Sequence, residues 1–419
     1  MTAGRGALRR VVVTGLGAVT PIGNNVPEFW QGLLEGRNGI ARIQAFDPSD
    51  LSVQIGAEVK GFVAEERIDP KLTRRADRFT QFALCAAAEA VRDAGLDFTK
   101  EDPTRAGAVI GSGMGGVQTW EQQHAQFVEK GPRRVSPLLI PMMIPDMAAG
   151  QISIVYGLRG PNYATVSACA SGAHAAGAAF QHIVQGDADI IISGGAEAAV
   201  TRFTVAAFAN MGALSKRNEE PARASRPFDR DRDGFVIAEG CGVYVLEELE
   251  HARRRGARIY CELAGFGATG DGYHITAPDP EGKGAAEVMR TAILNAGLAP
   301  NDIDYINAHG TSTPLNDATE VRAITDLFGE HARRLVVNST KSMIGHGLGA
   351  AGAMEFVATA LAVYHGKVHR TLNHETPDDG VDLDFVKDGP RPVAIRAALS
   401  NSFGFGGHNC CLCVKRLGE

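Results

Sequence analysis

Short apolar runs alternate along the chain with longer segments in which apolar residues recur at helical spacing. The strand-like runs are residues 10–15, 108–111, 164–168, 190–193 and 243–246, followed by 259–264, 303–308, 335–338, 394–400 and 410–415. Helical patterns lie between them, for example at 78–94, 171–185, 283–296 and 350–364. This alternation predicts an α/β protein with parallel layers. Because both parts of the chain repeat a similar order of elements, we predict two similar halves, residues 1–257 and 258–419.

Length and charge agree with a large enzyme. The 419 residues exceed the size at which one core usually keeps growing. Charged residues make up 21% of the chain and the formal net charge is -6, which argues against a general nucleic-acid binder and against disorder. We find no apolar run long enough to span a membrane, and the apolar stretch Val11–Val13 after the basic start is too short for a secretory signal.

The cysteines favour a reducing compartment. There are seven, an odd number, without disulfide-like spacing, so we expect a cytoplasmic protein. The cluster Cys410, Cys411 and Cys413 suggests a metal site, but adjacent strand residues face opposite sides and a fourth ligand is missing. We therefore predict a buried terminal strand there, and no metal site.

Cys169 lies where the apolar run 164–168 gives way to a helix of small residues. A thiol at a strand-to-helix turn is exposed at its tip. It faces the unpaired amides and the positive end of the helix dipole, which stabilise the thiolate over the thiol. This position favours a nucleophile that is ionised at rest. Cysteine is also among the most buried residue types, so an inert core thiol is the alternative.

Two histidines follow apolar runs in the second half. His309 ends the run 303–308, and Lys341 and His346 follow the run 335–338. Either histidine alone would more often be structural. Together with Cys169 they form one thiol and two imidazoles, each at the end of an apolar run, where a rigid scaffold positions functional groups. Such a set is typical of thioester chemistry.

Four segments resemble, in order, the signatures of elongating beta-ketoacyl-[acyl-carrier-protein] synthases. They are VSACASG around Cys169, NAHGTSTPLND at 307–317, STKSMIGHGLGAAGAME at 339–355 and NSFGFGGHN at 401–409. The segments RRVVVTGLGAVTPIG, IGSGMGGV and ASRPFDRDRDGFVIAEG are also similar, so the resemblance extends from about Arg9 to Arg416. It implies a thiolase-like fold, with two related halves in a five-layered α/β/α/β/α sandwich and the site between them. It also implies a homodimer.

The resemblance implies decarboxylative Claisen condensation in type II fatty acid biosynthesis. Cys169 would hold an acyl chain, and malonyl carrier protein would lose carbon dioxide and attack it, giving a 3-oxoacyl chain two carbons longer. The backbone amides of Cys169 and Phe405 would stabilise the oxyanion, and His309 and His346 would stabilise the enolate. Relatives that use coenzyme A esters generally carry His and Asn instead. Acyl carrier protein is the implied partner, and no metal or redox cofactor is required.

Supporting roles follow from the same resemblance. Lys341 would act electrostatically, with Glu355 as its partner and Asp317 in the surrounding shell. The alternative is a buried ion pair that only orders the loop. Phe405, between glycines, could also gate the site, or the segment could be a plain hairpin. His408 replaces the commoner Thr and receives no role.

The substrate-binding candidates surround this centre. Met114 resembles the residue that lines the acyl pocket, although it could equally be core filler. Thr311 and Thr313 could bind the pantetheine arm or satisfy a turn. Phe403 is a further candidate for substrate contact.

Two basic clusters are candidates for docking an acidic carrier protein. They are Lys71, Arg74, Arg75 and Arg78 in one segment, and Lys130, Arg133 and Arg134 in another. We predict that they bracket the entrance of the site and speed docking. An ordinary solvated face is the alternative.

Three other functions stay open at this point. An aromatic polyketide ketosynthase would share the thiol and imidazoles but use other starters and pair with a Cys-free subunit. A non-catalytic partner subunit is disfavoured because all three residues are present. A cysteine hydrolase is disfavoured because an acyl pocket that excludes water works against hydrolysis.

Overall fold

A computed structural model describes residues 9–418. The β-strands are β1 (Val11–Val19), β2 (Ala41–Arg42), β3 (Ile55–Gly56), β4 (Ala106–Gly111), β5 (Asn162–Tyr163), β6 (Ile190–Glu197), β7 (Gly240–Glu248), β8 (Cys261–Gly270), β9 (Tyr305–Asn307), β10 (Val336–Asn338), β11 (Lys367–Val368), β12 (Arg391–Pro392), β13 (Ala397–Gly404) and β14 (His408–Lys415). The α-helices are α1 (Val26–Glu35), α2 (Pro70–Thr73), α3 (Arg78–Ala94), α4 (Val117–Lys130), α5 (Leu139–Met143), α6 (Met147–Tyr156), α7 (Ser171–Gln185), α8 (Arg202–Asn210), α9 (Leu249–Arg254), α10 (Lys283–Asn295), α11 (Pro314–Phe328), α12 (Lys341–Ile344) and α13 (Ala351–His365).

The two halves contain sheets of the same topology. The first half has the strand order β1-β7-β6-β4-β5, and the second half has β8-β14-β13-β9-β10. In each sheet the first two strand pairs are antiparallel and the last two are parallel. A short antiparallel pairing of Val11–Val13 with Cys261–Leu263 joins the two sheets. The halves are therefore similar in architecture, while the boundary at residue 257 stays a prediction.

The helices complete a sandwich of five layers. Helix α3 packs on β1 and β7 at one outer face, and α10 packs on β8 and β14 at the other. Helices α7 and α13 contact each other, and each also contacts strands of both sheets. The segment Leu348–His365 is apolar and long enough to cross a membrane, but 89% of it is buried, as expected for this central helix.

Small residues allow the central layer to pack closely. A Cβ atom built on Gly177 of α7 would lie 2.2 Å from the Phe266 ring of the second sheet. Any larger residue would push the helix away from that sheet. The Ala- and Gly-rich sequence of α7 is thus required by its position between the two sheets.

Local signals account for the helices that we predicted correctly. Asp77 caps α3 by accepting from the Phe79 amide, and Gly95 ends the helix in the left-handed conformation (φ 64°). Gly186 ends α7 in the same way (φ 86°). The bounds 78–94 and 171–185 therefore agree with the sequence prediction.

One predicted strand is wrong. Residues 164–168 are not a strand; strand β5 ends at Tyr163, and the chain then turns sharply. The apolar side chains suggested a strand, but apart from one bond from the Ser112 amide to the Thr165 carbonyl at 3.3 Å, this segment bonds locally. Ser167, for example, donates its amide to the Ser171 hydroxyl at 2.9 Å.

The predicted terminal strand is confirmed. Cys410, Cys411 and Cys413 are buried in β14. Cys410 packs in the central core, whereas Cys411 and Cys413 pack in the core of the second half. The three thiols therefore do not share one face, as the alternation of strand residues requires.

Candidate active site

The nucleophile turn is held in a strained conformation. Ala168 adopts a positive φ of 50°, a region that residues with a Cβ atom rarely occupy. The Ser171 hydroxyl stabilises this turn by donating to the Ala168 carbonyl at 2.7 Å. Cys169 is thereby presented two residues before α7 begins.

Two backbone amides face the sulfur of Cys169. They belong to Cys169 itself and to Phe405, in the turn between β13 and β14. Gly404 permits this approach, because a Cβ atom there would lie 2.7 Å from the Ser167 carbonyl oxygen and 3.1 Å from the Cys169 amide nitrogen. The two amides that the resemblance assigns to the oxyanion thus lie beside the same sulfur, and their role stays a prediction.

Burial of the Cys169 sulfur disfavours its charged form. Burial raises the pKa of Cys169 to about 12, although Lys341 and the two amides oppose this effect. Desolvation thus opposes the thiolate at rest that the sequence analysis expects, and that thiolate stays a prediction. A thiol that attacks a thioester must lose its proton, which requires an acceptor nearby.

Both imidazoles lie in the same cavity as the thiol. His309, His346 and Cys169 line a cavity of about 470 Å³. The two rings are nearly perpendicular, with centroids 5.4 Å apart, and each residue is 2% exposed. The structure thus brings together the three residues that the sequence analysis selected from distant segments.

Lys341 contacts one of these rings directly. Its Nζ donates to Glu355 Oε1 at 2.5 Å and to the His309 carbonyl at 2.6 Å, and it lies 3.3 Å from His309 Nδ1. An ammonium can only donate, so Nδ1 is the acceptor and a neutral ring carries its proton on Nε2. The ion pair with Glu355 is present, and it also sets the tautomer of His309.

Burial keeps both imidazoles neutral. It is the largest cause that lowers the pKa of His309 and of His346 well below the usual value, and Lys341 acts in the same direction. A neutral ring can donate one N–H and accept at the other nitrogen. The pair can therefore stabilise a developing negative charge without being charged itself.

This neutral state predicts a pH dependence of stability. The native pKa of His346 is depressed, so its contribution to stability is complete above pH of about 6.5 and is lost as the pH falls from there through the native pKa. Relative to His346→Asn, we expect the wild type to lose about 1.4 kcal/mol of unfolding free energy per pH unit below that point. Urea unfolding between about pH 8 and pH 5 measures this difference.

An exposed histidine provides the control. His124 lies on α4 with its side chain exposed, so His124→Asn shows what the same substitution does outside the cavity. Parallel pH profiles for the wild type and His346→Asn would contradict the buried neutral ring.

The sequence analysis missed Glu320. This residue is buried on α11 and accepts from the amides of His309 and Gly310, both at 2.8 Å, and from Asn401 Nδ2 at 3.1 Å. It therefore fixes the backbone that carries His309. The available signal was an acidic residue on the buried face of a helix just after the His309 turn.

Asp317 holds the same turn from another side. It accepts from the amides of Phe228 at 2.9 Å and Ser312 at 3.1 Å. The hydroxyl groups of Thr311 and Thr313 form a hydrogen bond with each other at 2.9 Å. Asp317 is thus a support of the loop rather than a direct partner of Lys341.

The other substrate candidates also line the cavity. Met114, Thr311, Thr313 and Phe403 all contribute to its wall, together with Phe405. A second cavity of about 280 Å³ lies beyond Met114, lined by Val117, Trp120, Met143, Ile144 and Pro145. Met114 is the one side chain common to both linings.

The docking candidates lie outside the cavity lining. Lys71, Arg74, Arg75, Arg133 and Arg134 are exposed, the first three in or beside α2 and the last two just after α4. The lining contains an acidic residue, Asp233, whose Oδ1 is 3.7 Å from Arg217 Nε. Arg217 is a basic residue next to this lining residue that the sequence analysis did not select.

Comparison with known proteins identifies the family. The profile for "Beta-ketoacyl synthase, N-terminal domain" matches residues 8–252, and that for "Beta-ketoacyl synthase, C-terminal domain" matches residues 260–375. The chain belongs to the beta-ketoacyl synthase family. A curated 3-oxoacyl-[acyl-carrier-protein] synthase 2 of Synechocystis sp. is 52% identical over 97% of this chain and 98% of its own length. The protein of the same name from Staphylococcus aureus is 51% identical over the same shares.

Solved structures agree with this assignment. A beta-ketoacyl synthase from Burkholderia phymatum superposes with a TM-score of 0.91 at 36% identity, covering 98% of this chain and 100% of its own. A ketosynthase complexed with its type II polyketide acyl-carrier protein gives a TM-score of 0.92 at 35% identity, with the same coverage. The predicted thiolase-like fold and the predicted condensing-enzyme class are therefore confirmed.

Proposed function

We propose that this protein elongates acyl chains in type II fatty acid biosynthesis. It condenses malonyl-acyl carrier protein with an acyl group held on Cys169 and forms a 3-oxoacyl-acyl carrier protein two carbons longer. One observation carries this proposal: a thiol, two converging amides and two neutral imidazoles line the same cavity. About half of the residues are identical to those of two curated proteins named 3-oxoacyl-[acyl-carrier-protein] synthase 2. This sequence identity supports the fatty acid pathway over a polyketide one.

The first half-reaction loads the acyl chain. The Cys169 sulfur attacks the thioester carbonyl, and its proton passes to a neutral imidazole. A sulfur–carbon bond forms, and the carrier's thiolate leaves and takes up the proton. The amides of Cys169 and Phe405 stabilise the intermediate oxyanion, and one such donor is worth roughly 3 kcal/mol.

The second half-reaction makes the carbon–carbon bond. The bond between the malonyl C2 and its carboxylate breaks, carbon dioxide leaves, and the electron pair forms an enolate. N–H donors of His309 and His346 stabilise the enolate oxygen. C2 then attacks the acyl carbonyl, and the Cys169 thiolate leaves and takes up a proton from solvent, so that each cycle consumes one proton. The cycle balances without a metal or a redox cofactor.

The turn after β13 provides a gate in this proposal. Gly406 and Gly407 both have positive φ, 84° and 72°, so the turn beside Phe405 depends on glycine. The Gly406 amide donates to the Ile275 carbonyl at 2.7 Å, so this turn is joined to the loop that follows β8. Movement of the Phe405 ring would admit an acyl chain to the sulfur.

We also propose a homodimer, formed through the edge of the first sheet. Strand β5 is the edge strand, and the chain from α4 through α5 and α6 to β5 forms a continuous series of contacts. Large apolar side chains are exposed along this region, including Phe127, Val128, Ile140 and Val166. A second copy covering this face would remove both the open edge and the apolar surface from water. A cytoplasmic location stays a prediction.

Product mass tests the proposed function. The purified protein is incubated with acyl-acyl carrier protein and malonyl-acyl carrier protein, and the mass of the carrier-bound product is measured by mass spectrometry. A 3-oxoacyl product extended by two carbons is expected. Free fatty acid alone would indicate a hydrolase, and activity only with a second subunit would indicate a polyketide system.

The carrier-docking residues give a separate prediction. We expect Arg133→Glu with Arg134→Glu to raise the KM for acyl carrier protein about tenfold at low salt, because steering is electrostatic and partner-specific. The effect should shrink as ionic strength rises. A matched control reverses Arg333 and Arg334, an exposed pair in the second half. An unchanged KM at every salt concentration would show that Arg133 and Arg134 lie on an ordinary solvated face.

A further inference from the structure

The last residue of β6 is a buried glutamate, and every hydrogen bond of its carboxylate is accepted from a donor. Glu197 has no exposed surface. Its Oε1 accepts from the Ser112 hydroxyl at 2.9 Å and the Met114 amide at 3.1 Å. Its Oε2 accepts from the amides of Gly113 at 2.7 Å and Gly349 at 3.0 Å. Three of the four donors are backbone amides, which cannot act as acceptors.

These four donors come from two segments on different halves. Residues 112–114 follow β4 in the first half, and Gly349 follows His346 in the second. The segments touch through their backbones, since a Cβ atom on Gly349 would lie 2.2 Å from the Gly113 amide nitrogen and 2.6 Å from Glu197 Oε2. No side chain separates them, so the carboxylate is the group that binds them together.

Each segment carries a residue that faces substrate in the proposed reaction. Met114 lines both the catalytic cavity and the second cavity beyond it. His346 and Leu348 line the catalytic cavity beside Gly349. Glu197 lines neither cavity, and it is therefore placed to act through these neighbours.

We propose that Glu197 is a positioning residue. It keeps the cavity wall at Met114 and the segment that carries His346 at a fixed position relative to each other. This inference rests on the proposed function. The depth available to the acyl chain and the position of the second imidazole both depend on the carboxylate. Glu197 thus controls both the acyl chain length that the cavity accepts and the rate of decarboxylation, although it touches no substrate.

Glu197→Gln tests this role with almost no change of volume. In either orientation the new amide NH₂ faces at least one backbone N–H, so the network must open. We expect kcat for condensation to fall about 10²-fold, as for a displacement of about 1 Å, and KM for the carrier protein to stay unchanged. A merely structural role would lower stability without this separation of kcat from KM.

A second measurement does not depend on the proposed function. Chloroacetamides with a short or a long alkyl chain alkylate Cys169, and the ratio of their rates reports the depth of the cavity. We expect Glu197→Gln to change this ratio about tenfold. If the wild type condensed nothing, the proposed function would fail while the alkylation ratio would still test Glu197.

Two further variants keep the test decisive. Glu247→Gln is the matched control, because Glu247 is equally buried but bonds to Arg255, Thr14 and His251 away from both cavities. Should Glu197→Gln not fold, Ser112→Ala removes one of the four donors to Glu197, together with the acceptor of the Gly115 amide at 3.0 Å, and should shift the alkylation ratio in the same direction. A folded Glu197→Gln protein with the wild-type ratio and kcat would overturn the proposal.

Discussion

Cys169→Gln is expected to abolish condensation while malonyl decarboxylation continues. The sulfur is the group that can hold the acyl chain, so its loss should lower the condensation rate on the order of 10⁶-fold, as for other covalent nucleophiles. His309 and His346 remain in the cavity to stabilise the enolate. Release of carbon dioxide from malonyl carrier protein, measured beside the mass of the carrier product, separates the two activities.

Cys261→Ala provides the control for this experiment. Cys261 is buried at the start of β8 and does not line the cavity. Its substitution should leave both activities in place. A folded Cys169→Gln protein that no longer releases carbon dioxide would show that the sulfur is also needed for decarboxylation, and the division of labour would have to be abandoned.

Lys341→Met is expected to have the largest effect on stability. It leaves the Glu355 carboxylate buried without its partner, which should cost about 3–5 kcal/mol. His309 also loses the donor at Nδ1, so decarboxylation should fall because the proton is no longer held on Nε2. Urea unfolding and carbon dioxide release measure the two effects separately.

A double variant distinguishes the structural role of Lys341 from its chemical role. Lys341→Met combined with Glu355→Leu removes both charges and should recover much of the lost stability. Decarboxylation should stay low, because the His309 ring still lacks its partner. Recovery of both properties together would indicate an ion pair that only orders the loop. Lys283→Met is the control, since its pair with Glu281 is exposed and screened by solvent, so its loss should barely change stability.

Local signals in the sequence were sufficient to predict the helices that have clear capping residues. Helix α3 was predicted correctly because Asp77 and Gly95 form conventional caps. The run 164–168 was misread because its side chains suggested a buried strand, whereas none of these residues is buried and Val166 is 60% exposed. There the hydroxyl of Ser171 competes with strand pairing and bends the chain, which the apolar pattern does not record.

The candidate site depended on motifs rather than on periodicity. Cys169, His309 and His346 could be named because their segments resemble a known family, while the pattern alone left structural alternatives open. Glu197 and Glu320 were missed because each binds backbone amides, which the sequence does not show. The cost of desolvating the Cys169 sulfur was also missed, because it depends on tertiary packing.

The equal strand order of the two sheets places the thiol and one imidazole at equivalent positions. Counted along the chain, β5 is the third strand of the first five-stranded sheet and β10 is the third strand of the second. Cys169 follows β5 and precedes α7, and His346 follows β10 and precedes α13. Thiol and imidazole thus occupy corresponding turns of two halves with the same topology. The first half expressed alone would carry the thiol without either imidazole, and the second half would carry both imidazoles without a group to hold the acyl chain, so neither could condense.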